Sequence, residues 1–222
     1  MPFLDTTKLI NPRAPNIPVA PGDYTPQYQN QLNDVFRLYF NQIDRYISGL
    51  QSTTGQRYLS APYAAAHRSV TQTFAAANTA YVITFDTPDF INGTTVSPTD
   101  GIHVNQAGIY NYQFSIQLSN SDSTSVHSSW VWLRQNGVDV PASNSKFDVL
   151  SSHGGTPGFV IGAANFFLSM NAGDYVEMWA AVDNTQITYP AAAAVTSPFA
   201  MPAIPSVVAT LSFVSALPTT AK

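Results

Sequence analysis

A chain of 222 residues, 45% of them hydrophobic, is long enough to bury a full core as one large domain with an appendage. Only 10% of the residues are charged, against roughly 25% in an average soluble protein, and the net charge is −4. Clustered Lys and Arg are therefore missing, so nucleic acid is not an expected partner. Cysteine is absent, which removes disulfide staples and Cys-based metal or nucleophile sites and leaves assembly in a reducing cytosol untroubled.

The opening Met1-Pro2-Phe3-Leu4-Asp5 has neither a basic leader nor an apolar core, and no later run approaches the length of a membrane span. Neither export nor membrane insertion is expected, and Asn92-Gly93-Thr94 would go unused as a glycosylation acceptor. Residues 1–26 carry Pro2, Pro12, Pro15, Pro18, Pro21 and Pro26, each fixing φ and removing a backbone donor. The segment reads as an extended arm, either a disordered tail or a docking strap that loses little entropy on binding.

Over residues 27–50, Leu32, Phe36, Tyr39, Ile43, Tyr46 and Leu50 step alternately by four and three, a heptad seam. Val35, Phe40 and Ile47 widen the stripe, which suits three helices or a neighbouring surface better than a thin dimer. Thr25-Pro26 and Gly49 are plausible start and stop signals. A helix of this length is marginal alone in water, so the six seam residues are expected to need partners, the alternative being a helix folded back on its own domain. Residues 51–69 lack periodicity and read as a linker.

From residue 70 to 217 the signals are β, and 218–222 read as a tail. Tyr110, Tyr112, Phe114, Ile116 and Leu118 alternate with polar partners, as a half-buried antiparallel strand should. Trp130 and Trp132 alternate too, and Asn136-Gly137 is the pair favoured in a tight hairpin turn. Phe166, Leu168 and Met170 alternate, Asn171-Ala172-Gly173-Asp174 turns the chain, and Val176, Met178 and Ala180 alternate again, which reads as a hairpin. Val207, Ala209, Leu211 and Phe213 form one face of a last strand, with Val208 and Val214 on the other. Many short strands and no second helix imply an all-β sandwich or barrel.

Three stretches in this order resemble the C1q/TNF-like jelly roll: Ile102–Phe114, with Ala107 where that family usually has Pro; Val131–Gly137; and Phe167–Met178. The last strand lacks the family's Gly-Phe element. Together with Leu38-Tyr39-Phe40-Asn41-Gln42 after a Pro-rich opening, the chain is similar to C1q-like structural proteins of marine tailed phages. The resemblance implies a homotrimer with a jelly-roll head and a place in the virion, as a capsid decoration, cement or head-fibre protein assembled in the host cytoplasm and docked on a major capsid or tail protein.

Chemistry is thinly signalled. His67, His103, His127 and His153 are dispersed without zinc-site spacing and read as ordinary surface or strand residues. Gly154-Gly155 reads as a flexible loop, and no Gly-x-Ser-x-Gly elbow is present. The lone glutamate, Glu177, falls mid-strand and reads as solvent-facing; a capsule-degrading enzyme would need a second carboxylate beside it. Asp122, Asp148 and Asp183 in apparent loops are candidate calcium ligands, no other cofactor being indicated. Trp130, Trp132 and Trp179 read as core or intersubunit packing rather than sugar platforms. The alternative function, a tail-fibre or receptor-binding knob recognising a host surface glycan, would use the loops at 119–128 and 151–158.

Overall fold

A computed structural model describes residues 15–52, 55 and 60–217; Pro2 and Pro12 of the arm, most of residues 53–59 and the tail lie outside them. The chain divides into two units, Met1–Ser60 and Ala61–Lys222.

In the first unit residues 15–25 form neither helix nor strand, and α1 spans Pro26–Gln51. Thr25 caps it, its hydroxyl accepting from Tyr28 N at 3.4 Å, with Pro26 in the first turn, where the missing N–H costs nothing. The Tyr28 hydroxyl donates to Pro18 O at 3.4 Å, tying the arm to the first turn. At the other end Ser52 N donates to Ser48 O and the Ser52 hydroxyl to Gly49 O. No acidic residue lies in the first turn and no basic one in the last, so the helix dipole is not complemented.

The second unit contains β1 (Tyr63–Arg68), β2 (Tyr81–Ile83), β3 (Thr87–Asn92), β4 (Thr94–Ser97), β5 (Gly101–Val104), β6 (Gly108–Asn120), β7 (His127–Gln135), β8 (Val138–Asp139), β9 (Ser145–Val149), β10 (Gly158–Met170), β11 (Tyr175–Val182), β12 (Ile187–Thr188) and β13 (Val207–Ser215). They form two antiparallel sheets. One runs β10-β6-β13-β1-β3 with β12 also on β6; the other runs β4-β5-β11-β7-β8 with β2 on β11 and β9 on β7. The fold is therefore an all-β sandwich.

The ladders are nested in sequence. β7 pairs with β9, β6 with β10, β5 with β11 and β1 with β13, and successive pairs alternate between the sheets. These four ladders run through the second unit as one long hairpin wound into two layers.

The alternation read from the sequence sets what faces inward. Tyr110, Tyr112, Phe114, Ile116 and Leu118 of β6 are buried, as are Val176, Met178 and Ala180 of β11, Leu168 and Met170 of β10, and Val207, Ala209 and Leu211 of β13. The Asn136-Gly137 turn joins β7 to β8 with φ of 52° and 78°, the left-handed pair that a two-residue hairpin needs. Gly108 meets a different demand: a Cβ there would collide with the Phe213 ring, so β6 and β13 approach this closely only with glycine.

Two expectations change. Residues 63–68, taken as linker, are β1, which pairs with β13 and β3 and buries Ala64 and Ala66. Its alanines give too little apolar contrast to show a period. The expected hairpin across 171–174 does not form: β10 pairs with β6 and β11 with β7, so the turn crosses from one sheet to the other. A turn signal states that the chain reverses, not which strand it then joins.

Candidate interaction surfaces

The six seam residues share one stripe of α1. Leu32, Tyr39, Ile43, Tyr46 and Leu50 are half-buried, Phe36 is 37% exposed, and no residue of the helix is buried. Leu38, Phe40 and Ile47 are more exposed still. Local support is slight: Arg37 pairs with Asp34 at 2.9 Å on the exposed side, a contact of the kind worth about 0.3–0.5 kcal/mol.

In the second unit the outward face of the six-stranded sheet carries little charge. Phe159, Ile161 and Phe167 of β10 stand exposed there, opposite Ser119, Gln117 and Asn111 of β6. Towards the other edge come Val208, Thr210 and Ser212 of β13, then His67, Ala65 and Tyr63 of β1. His67 pairs with Asp89 of edge strand β3 at 2.9 Å. A trough of about 500 Å³ lies mid-face, lined by Gln113, Phe114, Ser115, Ala163, Ala164, Asn165, Val208 and Thr210. Flat Ala- and aromatic-rich faces were expected on the β head, but Phe159, Ile161 and Phe167 were not singled out, although β10 is apolar on both sides, the pattern of a strand covered twice.

At one end of the sandwich the loops singled out for recognition meet. Ser152 N donates to Asp122 O at 2.6 Å, and Ser121 N to Gln186 O at 3.2 Å. Residues 153–156 form a tight turn, with His153 N donating to Thr156 O and Thr156 N returning the bond. His127 stands between two carboxylates, Nε2 at 2.9 Å from Asp122 and Nδ1 at 3.3 Å from Asp183. The ring donates to both only when both nitrogens carry protons.

The three candidate calcium ligands do not converge. Asp122 accepts from Thr124 and His127, and its carboxyl is held well below the usual range by the Thr124 hydroxyl first, then the His127 ring and Thr124 N. Asp148 is taken by Lys146 Nζ at 2.8 Å and the Ser128 hydroxyl at 2.6 Å. Asp183 receives Ser128 N at 3.0 Å. Among the described residues no group of three or more His, Asp or Glu side chains is arranged to hold a metal ion.

The seven-stranded sheet turns its tryptophans outward, because Val131 and Leu133 take the inward positions of β7. Trp132 lies across from Trp179 in register. Arg134 covers the Trp179 ring at 3.9 Å and Lys146 lies 5.8 Å from Trp130, so cations occupy two of these faces. Asp139 accepts from Trp132 Nε1 at 2.8 Å and Arg134 Nε at 2.6 Å. The tryptophans are thus half-exposed and outside the core. Glu177, expected to face solvent, is only 9% exposed and stands opposite Arg134. His103 stacks on Tyr175 with centroids 5.0 Å apart and pairs with Asp100.

No family model matches the chain, and no curated protein matches it in sequence. No helix among the described residues is long and apolar enough to cross a membrane.

Proposed function

We propose that this chain is a homotrimeric structural protein of a phage virion, a capsid decoration, cement or head-fibre protein with a C1q/TNF-like jelly-roll head. Two surfaces carry the reading: an apolar helix stripe with no buried residue among those described, and a sheet face of little charge bearing Phe159, Ile161 and Phe167. Such faces are normally covered by symmetric association, and obligate interfaces of this kind typically exceed about 2,000 Å². The nested ladders and the two five-strand paths support the jelly-roll assignment, since rolling a long hairpin into two sheets generates that topology. The sparse charge fits an assembly role better than an electrostatically steered one.

In this reading the proline-rich arm docks on a major capsid or tail protein, and three arms per trimer multiply weak contacts. Light scattering tests the assembly: three chains of 24.0 kDa give about 72 kDa, and a monomer at micromolar concentration rejects it. Co-sedimentation with particles lacking the protein tests the anchor, with full-length protein expected to sediment and a variant lacking residues 1–26 expected to stay in solution. A second reading, a knob that binds host surface glycan, draws on the loops gathered around His127. Binding of the isolated second unit to a glycan array would favour it.

A further inference from the structure

Between β12 and β13 the chain leaves the sandwich as a finger. Residues 192–204 are exposed throughout, yet they are not a loose loop. Ala192 and Ile204 exchange backbone hydrogen bonds at 2.9 and 2.8 Å, and Val195 and Met201 do the same at 3.1 and 2.9 Å. The root is fastened by Ala191 N donating to the Thr71 hydroxyl at 3.0 Å and the Ser206 hydroxyl donating to Val70 O at 2.8 Å. Phe199 at the tip is 63% exposed, and Val195, Met201 and Ile204 are 39%, 39% and 48% exposed.

A two-stranded hairpin is at best marginal in water, and this one offers water apolar side chains. Its chemistry narrows what covers it. No residue from 184 to 221 is charged, so an ionic partner surface would be dehydrated here with no counter-charge. Pro198, Pro202 and Pro205 interrupt the backbone donors, so the finger is poorly suited to extending a foreign sheet and must bind through side chains.

An uncharged trough is present on the same chain. The trough of about 500 Å³ on the six-stranded sheet is lined by Ala163, Ala164, Val208 and Thr210, with Gln113 and Asn165, and carries no ionic group. Val208 also lines the groove beside Pro202, Ala203 and Ile204 at the finger's root, where the His67–Asp89 pair stands as well, so root and socket share one face. A knob and a socket at different places on one chain make a heterologous contact, which closes into a ring when the rotation permits.

We infer that the finger is an intersubunit clasp, in which Phe199 of one protomer seats in the Ala163–Thr210 trough of the next. The inference rests on the homotrimer proposed above and names the contact that closes it. Because the chain has no cysteine, Phe199→Cys can be combined with Ala163→Cys, Asn165→Cys or Thr210→Cys without background. Under mild oxidation at least one pair should give a ladder of covalent dimer and trimer on a non-reducing gel, with none from the single variants, since a disulfide requires Cα atoms within about 7 Å. Phe199→Ser, at an exposed site, should keep the circular dichroism of the parent and weaken association at least tenfold. A protein that scatters as a trimer but cross-links through none of the three pairs, or associates undiminished as Phe199→Ser, overturns the clasp and leaves the trimer standing. A monomer in light scattering overturns both.

Discussion

Asn136 and Asp174 lock two turns together: Asn136 Nδ2 donates to Asp174 Oδ1 at 2.9 Å, while Asn136 Oδ1 accepts from Tyr175 N at 3.0 Å. The other Asp174 oxygen accepts from Asn171 N at 2.7 Å and Gln135 Nε2 at 3.1 Å. One carboxylate thus holds the β7–β8 hairpin to the crossing between sheets. Asp174→Ala removes these largely exposed bonds and should cost about 0.5–1.5 kcal/mol, read as a lower urea midpoint at unchanged slope.

Partial burial pushes the Asp174 carboxyl up, but the bond from Asn171 N, with those from Asn136 and Gln135, outweighs it and holds the group below 3.8. Asp122 and Asp148 are also held below 3.8, the first chiefly by Thr124 and His127, the second by Lys146 and Ser128. A carboxylate with a depressed folded pKa adds stability that is fully present above its unfolded value and is lost as pH falls through the folded one. Urea titrations should therefore show a steepening loss of stability below pH 3.8. Asp122→Asn should make that loss shallower, and an unchanged acid limb would show that its bonds persist unfolded.

Gly108 should tolerate no side chain. Gly108→Ala drives a methyl into the Phe213 ring and close to Ser215 O at 2.9 Å, so about 1–3 kcal/mol should be lost. Truncating the ring in Gly108→Ala/Phe213→Ala should recover part of that cost, whereas simple additivity in a double-mutant cycle would mean that the strands do not meet there.

Phe36→Asp with Ile43→Asp should destroy assembly of the helix and spare the sandwich. Charges buried in a seam without partners cost several kcal/mol, comparable to the stability of a short helical bundle. Circular dichroism should lose its helical component and keep its β component. Unfolding of the sandwich in the same variant would place the helix within its core.

What the sequence determined by itself was local. Period-2 alternation placed Tyr110, Tyr112 and Phe114 inside, since side-chain direction in a strand is fixed by parity. Thr25-Pro26 and Asn136-Gly137 were readable because a helix start and a left-handed turn each restrict the residues that fit. Only the tertiary structure decided the strand partners, because ladder pairing depends on contacts across the whole chain: the 171–174 turn joins different sheets, and alanine-rich β1 becomes visible only between β13 and β3. The same holds for the sites. His127 with Asp122 and Asp183, Arg134 over Trp179, and the finger beside its trough bring together residues whose spacing in sequence carries no period, and only packing gives them a common place.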